Sequence, residues 1–293
     1  MKKIVIAGGT GFIGKYLETK FEALGYNVII VSRGQGLINW NDKSKLIEAL
    51  NDAEILINLA GKSVDCRYNE KNKQEILLSR TETTKSLGDA IQQCTNPPKL
   101  WINSGTATIY RHAEDKPMTE STGEIGSGFS VNVAKAWEKS FFDYQLPDTR
   151  QILLRIAIVL GDDEGVMKPL KNLVRFGLGG KQGNGNQMFS WIHIEDLFRI
   201  IVFVNENKNL QGVFNCSAPN PITNKILMQK LREHMHINVG LPSPKWLLEF
   251  GALFIKTETE LVLKSRWVLP ERLLNENYKF SYSTIDDALS NLI

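Results

Sequence analysis

Apolar and polar positions fall into two kinds of block along the first half of this chain. Residues 4–7 are a short apolar, β-branched run, which predicts a strand. Residues 15–24 place Tyr16, Leu17, Phe21 and Leu24 at helical spacing, and Gly25-Tyr26-Asn27 reads as the turn that ends the helix. The alternation continues with a strand at 28–32, a short helix at 44–50 and a strand at 55–60, the last so uniformly apolar that both its faces are expected to be buried. A long helix follows at 72–93, with Ile76, Leu77, Leu87 and Ile91 apolar, then a strand at 99–104 behind Pro97-Pro98, a helix at 133–142 and a strand at 151–160. Strands and helices in strict alternation predict an α/β fold with a parallel, doubly wound sheet, whose ligands lie beyond the carboxyl ends of the strands.

The second half reads differently. Residues 161–165 form a loop and 167–176 a helix; Gly177-Leu178-Gly179-Gly180 and Gly183-Asn184-Gly185-Asn186 make a glycine-rich excursion. Residues 191–203 return as a strand end and a helix, and 212–216 as a strand. From Pro219 onward the segments are short and divided by prolines at 221, 242, 244 and 270. The expected organisation is a nucleotide-binding domain over 1–160, its sheet completed by 187–218, and a smaller lid domain over 161–293 that is interleaved with the sheet.

The first strand runs directly into Gly8-x-x-Gly11-x-x-Gly14. Gly8 permits a tight turn, Gly11 lets the backbone approach a phosphate, and Gly14 lets the next helix pack close. The helix start then presents free N–H groups to an anion. In a strand-turn-helix context this pattern is the pyrophosphate loop of a Rossmann dinucleotide site, with a plain glycine-rich turn as the alternative. Gly8, Thr10, Gly11, Phe12, Ile13 and Gly14 are therefore expected cofactor contacts. At the end of the second strand, Ser32-Arg33 stands where an acidic residue would bind the ribose 2′-hydroxyl of NAD. An arginine there meets a 2′-phosphate, so the expected cofactor is NADP(H), and a solvated surface arginine is the alternative. Asn58-Leu59-Ala60-Gly61 at the end of the third strand is small enough to pass beside the adenosine half, although a strand-to-loop turn explains it as well.

Composition narrows the partners. With 35 basic against 32 acidic residues, a net charge of +3 argues for neither nucleic acid nor an anionic membrane. No apolar stretch reaches the roughly 18 residues of a membrane span; 247–255 comes nearest and carries Glu249. With a strand and phosphate loop at the start, no signal peptide is expected. Cys66, Cys94 and Cys216 are an odd set without metal-like spacing, which fits a reduced, cytoplasmic compartment. His112, His234 and His236 have no ligand cluster beside them, so no metal site is expected.

The glycine loop, residues 58–61 and Ser104–Tyr110 together resemble the extended short-chain dehydrogenase/reductases. The resemblance is more specific in the second half. There, 189–197 (Phe-Ser-Trp-Ile-His-Ile-Glu-Asp-Leu), 177–180, 218–224 and Val268-Leu269-Pro270-Glu271-Arg272 are similar to an atypical, sugar-epimerase-like branch with an extra C-terminal domain of unassigned function. It covers essentially the whole chain. It implies a Rossmann fold, NADP(H), and a redox or epimerase activity on a small molecule, with a homodimer as a possible assembly. Within this frame Ser104 is a cofactor contact, Thr106 falls where the family places a hydroxyl on the reacting oxygen, and Arg155 falls where related epimerases contact substrate phosphate. A buried ion pair in the sheet is the other reading of Arg155.

The departure from the family lies at its proton-transfer pair. Active members place a Tyr four residues before a Lys, whose charge lowers the phenol pKa. Here Lys135 is present, but Val131 stands four residues before it. Tyr110 is the expected substitute acid, with Lys135 as its cation; packing of a pocket wall is the alternative. His193, three residues before Asp196, is either an acid/base group near the substrate or part of a helix N-terminus. Two functions therefore compete: an NADP-dependent oxidoreductase or epimerase with an unconventional proton donor, and a catalytically silent NADP-binding sensor or scaffold.

Overall fold

The computed structural model describes residues 1–34, 37–162, 164–243 and 264–293. Pro244 and the apolar stretch 247–255 lie outside the described residues. In chain order the elements are β1 (Lys3–Ala7), α1 (Phe12–Ala23), β2 (Asn27–Val31), α2 (Lys43–Leu50), β3 (Ala53–Asn58), α3 (Glu70–Ile91) and β4 (Leu100–Thr106). A 3-10 turn (Ala107–Ile109), α4 (Phe129–Phe142), β5 (Arg150–Ile156), β6 (Ile158–Gly161), β7 (Glu164–Gly165) and α5 (Met167–Arg175) follow. The chain continues with β8 (Met188–Phe189), β9 (Trp191–His193), α6 (Ile194–Glu206), β10 (Gly212–Cys216), β11 (Ile222–Thr223) and α7 (Asn224–His234), then α8 (Glu271–Asn275) and α9 (Ile285–Leu292).

Six strands form one parallel sheet in the order β10-β5-β4-β3-β1-β2. Because side chains alternate along a strand, each strand feeds both faces. Ile4, Ile6, Ile57, Ile102 and Leu154 pack on Leu17 and Phe21 of α1 and on Leu197 and Ile201 of α6. Val5, Leu56, Trp101 and Leu153 pack on Leu46 of α2, Leu87 of α3 and Phe141 of α4. This is a doubly wound Rossmann-type fold. The chain leaves β1 to one side for β2 and to the other for β3, so the strand order reverses between β1 and β3. That crevice is where such sheets hold ligands.

The outer edge of β10 is covered by side chains. The Arg272 guanidinium donates to the carbonyls of Gln211 at 3.0 Å and Val213 at 2.6 Å, and Glu120 accepts the Asn215 amide at 2.7 Å. An edge so capped offers no ladder to another chain.

The apolar run 151–160 is not one strand. It breaks at Ala157, whose amide still bonds Cys216 of the main sheet, while Ile158 bonds Ser190 and pairs β6 with β9 in a separate three-stranded sheet. No Gly or Pro marks the break. Both halves carry buried residues, so the hydrophobic pattern is continuous across a change of partner. Two further differences concern local order. Gly161 and Glu164–Gly165, expected in a loop, belong to β6 and β7, which pair antiparallel, and the region after Pro219 holds the eleven-residue helix α7. No helix among the described residues is long and apolar enough to cross a membrane.

Candidate functional site

The glycine turn is pressed into the crevice between β1 and β3. Gly8 has φ +77°, and a Cβ there would lie 2.7 Å from the backbone of Ala60. A side chain at Gly14 would meet the Gly9 carbonyl at 2.3 Å, which is why α1 can pack so close. Gly11 differs: its Cβ direction is open, with only the Gly8 carbonyl at 4.0 Å. Gly11 is also the N-cap of α1 and makes no side-chain capping bond, and the first turn carries no acidic residue. The amides of that turn thus face open space at the positive end of a helix, which suits an anion. Thr10 and Ser32 share a hydroxyl hydrogen bond of 3.2 Å that ties this loop to the end of β2. The next residue, Arg33, is exposed and has no hydrogen bond or ion pair among the described residues.

Asn58 does more than edge a turn. It is fully buried, donates to Thr84 at 3.1 Å and Asn103 at 2.7 Å, and accepts the Ala60 amide at 3.0 Å. Trp137 of α4 donates to the same Thr84 hydroxyl at 3.1 Å. This network fixes Leu59-Ala60-Gly61 opposite the glycine loop. It also brings in a residue that the sequence reading missed. Arg80 of α3 lies beside Gly61, 3.1 Å from where a Cβ would be, with its guanidinium 5.2 Å from the Trp137 ring centroid. It donates to the carbonyls of Lys62 at 3.1 Å and Ile76 at 3.0 Å, but has no carboxylate partner among the described residues. Burial lowers its pKa to about 10. A half-buried cation without an anion is costly to keep. In the sequence Arg80 is one more charge on a long helix, and no spacing signals it.

The substrate end of the site departs further from expectation. Val131 is fully buried among Ala107, Ile109, Tyr110, Met118 and Val268. Tyr110 is 2% exposed; its hydroxyl donates to Asn215 at 2.9 Å and accepts from Arg155 at 2.8 Å. The cation at Tyr110 is therefore Arg155, not Lys135, which corrects the expected pairing. Burial raises the phenol pKa, and Arg155 opposes this only in part. Tyr110 is held as a packed, protonated group. Lys135 is exposed and has no partner among the described residues. Arg155 takes the ion-pair reading. Its guanidinium grips Glu138 of α4 through two bonds of 2.8 Å, with both side chains mostly buried. Burial works against its charge, but Glu138 outweighs this and raises its pKa.

At the end of β4, Ser104 is buried. The Thr106 hydroxyl accepts the Thr108 amide at 3.1 Å, which leaves its own proton to donate. The Thr108 hydroxyl accepts from Arg266 at 3.2 Å, and its carbonyl from Lys264 at 2.8 Å, so the C-terminal segment reaches this strand end.

His193 is the N-cap of α6: Nδ1 accepts the Glu195 amide at 3.1 Å and the ring stacks on Tyr282 at 3.8 Å. Its ring makes no hydrogen bond to the Asp196 carboxylate among the described residues. That carboxylate turns to the backbone amides of Ser281 at 2.8 Å and Tyr282 at 2.9 Å. Burial lowers the His193 pKa to about 4, so it is neutral near pH 7. The helix N-terminus reading describes it, and an acid/base role does not fit. Phe12, in the glycine loop, meets the β6–β7 turn: a Cβ on Gly161 would lie 2.3 Å from its ring.

A parallel sheet with an anion-ready glycine turn at its reversal point defines a dinucleotide-binding protein of the Rossmann class. Residues 4–217 match the NAD-dependent epimerase/dehydratase family, and the chain belongs to it. Residues 243–292 match a domain of unknown function, DUF1731. Among its relatives is the human epimerase family protein SDR39U1, 32% identical over 298 residues that cover 99% of each chain. The Bacillus subtilis epimerase family protein YfhF is 31% identical, over 99% of this chain and 97% of its own. The crystal structure of human SDR39U1 with NADPH superposes with a TM-score of 0.90 at 31% identity, covering 99% of this chain and 98% of that one. A nucleoside-diphosphate sugar epimerase from Corynebacterium glutamicum gives 0.79 at 26% identity, covering 99% of this chain and 58% of that one.

Proposed function

We propose that this protein binds NADP(H), and that residues 1–160 with 187–218 hold the cofactor while 161–293 close over a small substrate. The reading rests chiefly on Arg33, a guanidinium at the end of β2 that has no partner among the described residues and stands where an acidic residue would bind a ribose hydroxyl. The similarity to a relative crystallised with NADPH supports it. The α1 amides and Arg80 fit the diphosphate, and Ser32 with Arg33 fits the 2′-phosphate. When bound, the nicotinamide supplies or accepts hydride. The chain's own contribution is the Thr106 hydroxyl, free to donate to a substrate oxygen, and the exposed Lys135 ammonium. NADP(H) is expected to bind more tightly than NAD(H) by about 1.5–3 kcal/mol, the range for hydrogen bonds to a charged group. Calorimetry on the intact protein and on Arg33→Ala tests this, and equal affinities in the unmodified protein overturn it.

A specific observation favours a second reading, a catalytically silent NADP-binding protein. Val131 is sealed in an apolar cluster and the Tyr110 hydroxyl is bonded on both sides, so neither position offers a phenol poised for proton transfer. NADPH oxidation measured against carbonyl compounds and nucleotide sugars separates the two. Turnover that is lost in Thr106→Val supports an oxidoreductase or epimerase; no turnover with any of them supports the silent protein.

A further inference from the structure

The second half of the chain gathers cations around a small cavity that the cofactor reading does not use. The cavity, about 190 Å3, is lined by Lys181, Lys225 and Arg232 together with the apolar Met228 and Pro242, over the backbone of Gly179 and Gly240. Three glycines create the arrangement. Arg232 lies in a slot between two of them: a Cβ on Gly240 would fall 1.9 Å from its Nη1, and one on Gly179 would fall 3.1 Å from its Cγ. Gly185, with φ +80°, lets two lysine stems converge, the Cβ atoms of Lys181 and Lys225 lying 2.9 and 3.2 Å from where its own Cβ would be. The slot fixes the half-buried Arg232 side chain, yet its guanidinium has no hydrogen bond or ion pair among the described residues. The same is true of the Lys181 and Lys225 ammonium groups.

Lys225 also stands in the first turn of α7, a turn with no acidic residue, where a cation opposes the helix dipole. Lys181 and Lys225 thus bring like charges toward the positive end of α7, which destabilises the free protein, while Arg232 reaches the same cavity from the last turn of that helix; a bound anion reverses the sign of the lysine contacts. The cavity is smaller than the roughly 300–1,000 Å3 that encloses a drug-sized ligand, so it suits an anionic group and not a whole dinucleotide. Three cations suit a phosphate or diphosphate better than a single carboxylate.

We propose that Lys181, Lys225 and Arg232 form a second anion site, specific for the phosphate or diphosphate group of a small phosphorylated ligand and separate from the cofactor crevice. The test is calorimetric titration of the full chain with pyrophosphate, inorganic phosphate and citrate, each with and without saturating NADPH. NADPH affinity is measured first and independently, so failure of the cofactor reading is seen separately. Pyrophosphate is expected to bind at one site whether or not NADPH is present. Its Kd should rise at least tenfold in Arg232→Gln and in Lys225→Gln, with NADPH affinity unchanged in both. Lys225 is exposed, so its variant keeps the test valid if Arg232→Gln fails to fold. The proposal is overturned by a pyrophosphate Kd above about 10 mM, weaker than ordinary specific binding. Binding that survives Lys225→Gln, binding that NADPH abolishes, or tighter binding of citrate than of pyrophosphate also overturns it.

Discussion

At the scale of single residues, the cofactor site depends on positions where a side chain is excluded or a charge is left unpaired. Gly11 is the clearest: the space in front of it is open and faces the amides of α1. Gly11→Asp places a carboxylate there and should weaken NADPH binding at least tenfold, about 1.4 kcal/mol, by calorimetry; unchanged affinity in a folded variant rules out the phosphate loop. Val131 is a packing residue. Val131→Tyr forces a phenol into a fully buried cluster and should lower stability by about 1–3 kcal/mol or more in urea denaturation. A stable variant with a titrating tyrosine would show instead that the dyad position is open. Arg155 and Glu138 form a mostly buried pair. Arg155→Ala leaves Glu138 without its cation and should cost about 3–5 kcal/mol, read by the same denaturation.

At the scale of elements, the start of α6 fastens the C-terminal segment to the sheet. Asp196 accepts the amides of Ser281 and Tyr282, while His193 caps the helix and stacks on Tyr282. The cap needs a neutral imidazole, because Nδ1 accepts a hydrogen bond. The folded pKa of about 4 lies below the unfolded value near 6.5. Between these values the unfolded chain binds the extra proton, so stability should fall as pH drops from about 6.5 to about 4 and level off below that. Integrated over the window, the loss is up to about 3 kcal/mol. His193→Gln should flatten this part of the pH–stability curve, measured by urea midpoints at each pH. A curve of unchanged slope would assign the acid sensitivity to other groups.

For the whole molecule, the cofactor half and the second half meet at Phe12, whose ring closes on the glycine backbone of the β6–β7 turn. Gly161→Val puts methyl groups where the ring lies. It should displace the glycine loop, lowering both stability and NADPH affinity together, each measurable by denaturation and calorimetry. A variant with one property intact would mean that the two halves are not coupled through Phe12.

The parallel sheet, the glycine turn and the position of Arg33 were legible in the sequence because each rests on short-range pattern: alternation of apolar blocks, glycines at fixed spacing, one charge after one strand. What the sequence left open depends on residues distant along the chain. Arg155 is 45 residues from Tyr110 and 17 from Glu138, and only the packing of α4 on β5 decided that it pairs with both and that Lys135 pairs with neither. The break at Ala157 followed from a change of strand partner inside a continuous apolar run. Arg80 and the slot around Arg232 were equally hidden. A cation reads the same in a sequence whether it faces water or a glycine backbone, and only the tertiary structure supplies the close approach that leaves it without an anion.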